Sequence, residues 1–351
     1  MEIKVIASTC PDYQLPVEEA KFFAGHTSYN LLLTGVPKII AMILNNEKDY
    51  NTSEKSARYT VMETEGEEKR LYDKWFALFY EAIRGTYPQI DAGVVKKLAQ
   101  ENARYFISVF TPATTMEYTV DFRQGNYLIQ FLGDYEDYCE AANLDPFCQK
   151  LRPWLEKTAE LLKPILSCEE IRDQKGRGLS LFAKRVRREQ FGETYSVNYE
   201  GTFAQLAQAQ RHRSINYEMT VPELSEAKFF VPPILKPFPG LAEQYLADIQ
   251  SVKDNYPQGM LVKINERGCL DDLITSKCAE RFCGAAQLEI CRQTKETIGR
   301  YVSAAVELGL TEVYRDLARV QGKTKCQMDF VTQKCTRPCP LGPTHAFDRK
   351  I

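Results

Sequence analysis

The sequence predicts a mixed α/β protein in which helix dominates and one α/β arrangement occurs twice. Two observations carry that expectation. Stretches with apolar residues at helical spacing alternate with short β-prone runs, as a layered α/β chain requires. The order of segments in the first half (helix, loop or strand, motif helix, long helix, strand, helix, long helix) recurs in the second. Its period is about 170 residues, far beyond a solenoid unit, so duplication of an α/β domain is the simpler reading.

Taken in order, Met1–Ala7 reads as a short strand or extended entry, and Val17–Ala24 as a helix ended by Gly25. After the loop His26-Thr27-Ser28 comes the apolar run Leu31–Leu33, and Pro37 opens a helix over Lys38–Asn45 as its first residue. Tyr50–Tyr59 is polar and reads as a loop. Glu67–Arg84 carries Leu71, Trp75, Leu78 and Phe79 on one stripe, and Asp91 caps a helix over Ala92–Ile107. Tyr118-Thr119-Val120 is β-prone, Arg123–Leu132 helical, and Asp145–Leu166 a long helix kinked or restarted at Pro153. The glycines and charges of Glu169–Gly178 mark a boundary. The basic run Lys184–Arg188 reads as a solvated face or linker. The second half offers a strand at Tyr195–Tyr199, a helix reaching Arg213 with Thr202 as its cap, and a helix over Gly240–Tyr256. A strand at Met260–Ile264 and a long helix to about Leu308 follow, and from Lys323 the chain is loop-like.

With 351 residues the chain can form one large domain or two of ordinary size. Hydrophobic residues at 44% and charged residues at 26% match a soluble globular protein. Lys+Arg 45 against Asp+Glu 47 gives a net charge of -2, which argues against broad nucleic-acid binding but leaves room for a local basic pocket. No apolar run reaches membrane-spanning length and the N-terminus lacks a signal-like apolar core. The expectation is a cytoplasmic protein with neither nucleic acid nor membrane as partner. The 11 cysteines are an odd, scattered set, which fits reduced thiols packed as small apolar groups.

Gln208-Ala209-Gln210-Arg211-His212-Arg213 concentrates donors. Guanidinium forks suit phosphate, carboxylate or the carbonyl edge of a ring, and an imidazole can donate or accept near neutral pH. Alone, such a triad reads as an exposed basic patch. Tyr50–Tyr59 likewise reads either as a solvated loop or as hydroxyls, backbone and guanidinium arranged around a phosphate.

Together, and in order, the motifs resemble those of the flavin-dependent thymidylate synthases. Glu54-Lys55-Ser56-Ala57-Arg58-Tyr59 is similar to the family's E-x-S-x-R-Y loop, and Arg211-His212-Arg213, with Gln208 upstream, to its R-H-R triad. Gly25-His26-Thr27-Ser28 resembles a G-H-x-T/S element, and Ala103-Arg104 a helix-borne A-R. Thr119-Val120-Asp121-Phe122-Arg123 resembles T-V-N-x-R with Asp for Asn, and Asn265-Glu266-Arg267 keeps N-x-R. Arg281 through Ile290 resembles the R-x4-A-Q-W-E-I run, with Leu288 for tryptophan, Ala285 for a histidine, and extra residues before Arg281. The losses are complementary. The first half has Asn46-Glu47-Lys48 where R-H-R belongs, and the second lacks the loop after its triad.

The resemblance implies two tandem α/β repeats, each a small sheet packed by long helices. The repeats are 1–168 and 191–322, with a linker at 169–190 and a cysteine-containing tail at 323–351. It implies FAD-dependent methylation of dUMP to dTMP, with NADPH and methylene-tetrahydrofolate as co-substrates, at one composite active site. A homodimer would then stand in for the family's homotetramer. Arg281 is the implied catalytic residue, stabilising the charged N3 and O4 side of the uracil. Glu54, Lys55, Ser56, Ala57, Arg58, Arg104, Gln208 and Arg211 are implied for dUMP. His26, Ser28, Glu54, Arg211, His212, Arg213, Asn265 and Arg267 are implied for FAD. Cys283, Cys326, Cys335 and Cys339 are the thiols a structural zinc would draw on, but no tight C-x2-C spacing is present and separate thiols are the preferred reading.

Overall fold

The computed structural model describes residues 1–9, 26–55, 60–166, 180–183, 185–332, 339–342 and 345–351. The helix expected at Val17–Ala24, the boundary at Glu169–Gly178, and Ser56, Ala57, Arg58, Lys184 and Cys335 lie outside these residues. The chain divides into two compact units, Met1–Thr64 with Ser108–Phe182 and Glu65–Ile107 with Ala183–Ile351.

The first unit holds strands β1 (Glu2–Ser8), β2 (Ser28–Val36), β3 (Asn51–Glu54) and β4 (Thr114–Asp121) in an antiparallel sheet of order β1-β2-β4-β3. Helix α1 (Lys38–Asn46) follows β2. Every residue from Ile39 to Asn46 is buried, which suits a helix that is apolar nearly all round. Pro37 sits at its cap rather than inside it. Along β2, Tyr29, Leu31 and Leu33 are buried in alternation until the register slips before Val36. Gly35, at φ +61, supplies the left-handed residue that the bulge needs. Asn51–Glu54, read as loop, is one of the two edge strands. Its polar sequence fits an edge, and its strand conformation comes from pairing with β4 rather than from its own pattern. Helices α4 (Phe122–Ala141) and α5 (Pro146–Leu166) complete this unit, and α5 runs through Pro153 and Pro164.

The second unit contains helices α2 (Gly66–Thr86) and α3 (Ala92–Ala103), which sequence order assigned to the first repeat. Their stripe explains the difference. Trp75 is fully buried against Phe106 (ring centroids 5.7 Å) and Tyr245 (5.0 Å), and its indole N–H donates to Asp248 at 2.8 Å. Asp91 caps α3 by accepting from the N–H groups of Gly93 and Val94. After α3 the chain tightens into a 3-10 turn, Arg104–Phe106, and the carbonyls of Tyr105 and the following Ile107 accept from the N–H groups of Gly259 and Gln258. A Cβ on Gly259 would lie 2.8 Å from that of Tyr105, so this approach requires glycine.

Strands β5 (Thr194–Thr202), β6 (Asn216–Thr220) and β7 (Leu261–Cys269) form the second sheet, order β5-β7-β6, all antiparallel. β7 runs five residues beyond the expected Ile264. Around it lie α6 (Phe203–Ala209), α7 (Pro239–Ser251), the helical run α8 at 270–281, α9 (Leu288–Glu307) and α10 (Thr311–Ala318). The six residues Leu273–Cys278 inside α8 are π-helical. The two sheets share one connectivity. A strand, a helix and a second strand lead through further helices to a third strand, which pairs with both.

Among the described residues, no helix is long and apolar enough to cross a membrane.

Candidate functional site

The triad expected on a helix lies just past one. α6 stops at Ala209, and Arg211, His212 and Arg213 occupy the turn that leads to β6. A side chain from α8 meets this helix end. Arg281, from the end of α8, donates through Nη2 to the Gln208 carbonyl at 3.1 Å and through Nη1 to Gln208 Oε1 at 3.4 Å. A guanidinium thus caps the C-terminal end of α6.

The same guanidinium donates from Nε to His212 Nε2 at 2.8 Å. Arginine is only a donor, so Nε2 accepts and the ring proton sits on Nδ1, which donates to Ser276 Oγ at 3.0 Å. His212 is buried, while Arg211 and Arg213 beside it are exposed. The imidazole implied at a flavin therefore lies under Arg281 and orients it. Burial, with Arg281 and Lys277 adding positive charge, pushes His212 down to about 2 from an ordinary 6.5. A group held below its ordinary value contributes stability that is complete above that value and is lost as pH falls. Unfolding free energy should decline below pH 6.5 by up to ~1.4 kcal/mol per pH unit. Thermal melts from pH 7 to 5 on the wild type and His212→Gln check this. The slope should flatten in the variant, and parallel slopes would exclude His212 as their source.

Behind this cluster lies a charged pair that motif reading missed. Lys277 donates to Glu266 at 2.5 Å and to Gln293 Oε1 at 2.8 Å, and both charged side chains are wholly buried. Glu266 also accepts from the hydroxyls of Tyr195 (2.8 Å) and Tyr199 (2.9 Å). Burial lowers the Lys277 value, and Glu266 offsets part of that. Glu266 is the middle residue of Asn265-Glu266-Arg267, where the motif accepts any residue, and Lys277 stands in the π-helical turn beside Ser276. No local pattern announces either.

A second cluster joins Ala103-Arg104 to the run after Arg281. Arg104 donates to Gln287 Oε1 at 2.8 Å, and Gln287 donates to Tyr105 Oη at 3.1 Å. Glu289 accepts from the Thr202 N–H and hydroxyl, each at 2.9 Å, and from Tyr105 at 3.0 Å. Burial raises the Glu289 carboxyl above its ordinary value, against these donors. Arg104, implied at the nucleotide, is 6% exposed, and its Nε is buried without a partner.

The other implied residues divide. Asn265 gives its amide to Ser196, Val197 and Asn198, all on β5. Arg267 donates to Glu218, which Arg187 also grips as a fork at 2.7 and 2.9 Å. Arg187 is thus half-buried and paired, not the solvated charge expected. In the first unit His26 is exposed and Ser28 begins β2. Glu54 is held by Lys38 at 2.5 Å and Asn45 at 3.3 Å, and Lys55 bonds through its backbone to Thr115. Glu54 and Leu33 both pair with Met116, which places Glu54 five strand positions, about 17 Å, along the sheet from Ser28. The structure does not bring those two together. Where the first half lacks R-H-R, Glu47 is buried and accepts from Ser180 at 2.8 Å.

Cys283 and Cys339 are half-buried and Cys326 exposed. Among the described residues no group of three or more His, Cys, Asp or Glu could hold a metal ion. The loop after Arg281 is held from the far end of the chain. Arg349 donates to the carbonyls of Gly284 and Ala286, and Phe347 meets Phe282 edge-on at 5.1 Å.

Comparison with protein-family models, with curated proteins and with solved structures finds no match in any of the three.

Proposed function

We propose that this chain is a tandem, divergent relative of the flavin-dependent thymidylate synthases. Its activity is the FAD-dependent methylation of dUMP to dTMP with methylene-tetrahydrofolate and NADPH, at one site drawing on motifs of both repeats. A homodimer replaces the family's tetramer. One observation carries this reading. Arg281 hydrogen-bonds directly to Gln208 and His212, which belong to one other motif some 70 residues earlier. The common connectivity of the two sheets supports the duplication.

In this reading Arg281 faces the uracil, held at a fixed angle by His212 and Gln208, and stabilises negative charge on the ring without reorganising. Exposed Arg211 and Arg213 meet phosphate. For FAD, Arg267 Nε and Asn265 Oδ1 fit best, since both are buried without a partner, while the Asn265 amide nitrogen is taken by β5. FAD, when bound, supplies the hydride chemistry. A repurposed nucleotide-binding relative is the second reading, favoured by Glu54 in its ion pair and Arg104 in its buried hydrogen bond to Gln287.

The test is FAD occupancy of the purified protein by absorbance, then NADPH oxidation with and without dUMP. Bound FAD and dUMP-stimulated oxidation are the expected results. Bound FAD with no response to dUMP selects the second reading, and no FAD under any condition removes both.

A further inference from the structure

Four arginines converge on a pocket of which the proposed function uses only Arg267. The pocket, about 610 Å³, belongs to the second unit and is lined by Arg185, Arg187, Arg188 and Arg267 with no carboxylate in its wall. Its floor is a cross-strand row: Ser196 on β5, Arg267 on β7 and Asn216 on β6 stand directly opposite one another. Its rim is the segment 185–190, fixed along β5 by paired backbone bonds between Gln190 and Ser196 and by Asn198 donating to the Arg187 carbonyl. The rim is therefore held in register with the floor.

The charge there is under-compensated. Glu218 takes both Arg187 and Arg267, and among the described residues Arg185 and Arg188 have no carboxylate partner. Four positive charges against one leave a net of three. Burial holds the Arg267 guanidinium below its ordinary value, Glu218 opposes that, and Arg187 and Arg185 add to it. Arg267 Nε is buried and unpartnered. A smaller hollow of about 300 Å³, with Tyr199, Ile264 and Asn265 in its wall, shares residues 185–187 and offers mainly apolar surface.

We propose that this pocket binds a small molecule carrying a diphosphate, its two phosphates between Arg185, Arg188 and Arg267 and its organic part in the adjoining hollow. Three uncompensated guanidinium charges match the three negative charges of a nucleoside diphosphate, and arginine forks suit phosphate oxygens. A concave, half-enclosed pocket on a chain of net charge -2 favours a small ligand over a nucleic-acid strand. The site shares Arg267 with the flavin reading but does not depend on it, because a free nucleotide and a dinucleotide cofactor carry the same diphosphate.

Calorimetric titration of the full chain with inorganic pyrophosphate, ADP, AMP and inorganic phosphate tests the site. Pyrophosphate and ADP should bind at least tenfold tighter than AMP or phosphate. The double variant Arg185→Ala/Arg188→Ala should lose at least tenfold for both while its melting temperature stays unchanged, and Arg185→Glu/Arg188→Glu should abolish binding. Competition with FAD identifies the source. Displacement of pyrophosphate by FAD assigns the site to the cofactor, and its absence assigns it to a separate nucleotide. Equal affinity for phosphate and pyrophosphate, wild-type binding in both double variants, or tighter binding of a single-stranded oligonucleotide would overturn the proposal.

Discussion

Replacing Arg281 by alanine should cut dUMP-stimulated NADPH oxidation by about 10²–10³-fold, the usual loss when one preorganised donor to a developing charge is removed. The guanidinium is preorganised because three bonds, to His212 Nε2, Gln208 O and Gln208 Oε1, fix its plane before any ligand arrives. Arg281→Lys is the sharper variant. It keeps the charge but cannot span a ring nitrogen and a carbonyl at once, so most of the loss should remain. FAD occupancy should change little in either variant, because the flavin contacts are assigned to other residues. Initial rates with and without dUMP, read beside FAD absorbance and melting temperature, decide the matter. Stimulation at the wild-type level in Arg281→Ala would remove Arg281 from the chemistry.

Lys277→Met should destabilise the protein by about 3–5 kcal/mol, the range for stripping one partner from a buried ion pair. The variant leaves the Glu266 carboxylate wholly buried with only two tyrosine hydroxyls to serve it. Glu266→Gln/Lys277→Met should recover most of the loss, since it removes both charges at similar volume. Denaturant unfolding of the single and double variants measures the cycle. A single-variant cost below about 1 kcal/mol would mean that water reaches the pair. Ser276, one residue before Lys277, holds His212, so the variant should also loosen Arg281 and reduce any activity that depends on it.

The parts of the fold legible in the sequence were those with strong local signals. Trp75 and its stripe marked α2, Asp91 marked the start of α3, and Thr202 capped α6 by accepting from the Gln205 N–H. Elements shaped by distant partners were not legible. β3 is polar and takes its conformation from β4. α6 ends where Arg281, some 70 residues on, bonds to the Gln208 carbonyl, so the triad reads as helix locally and folds as a turn. The site was legible to the same degree. Separate motifs pointed to Arg281, His212 and Gln208, but not to the imidazole lying beneath the guanidinium. Glu266 and Lys277 gave no signal, since a buried charge is recognisable only by what surrounds it. Within Arg185–Arg188, Arg187 read as solvent-facing charge because its partner, Glu218, lies on another strand, while Arg185 and Arg188 are exposed as expected.

The division of the chain also governs the order in which the protein can be finished during synthesis. Residues 65–107 leave the ribosome early, yet the side chains they pack and bond with, Tyr245, Asp248, Gln287 and Glu289, are made up to about 180 residues later. At ~5–20 residues per second that is a wait of about 10–40 s. Throughout it, the stripe of Leu71, Trp75 and Phe79 has no finished core to enter, while the intervening segment Ser108–Phe182 can already close the other sheet. The nascent chain thus carries an uncovered aromatic face past a neighbour that is complete, and it is there that a holding chaperone would be needed.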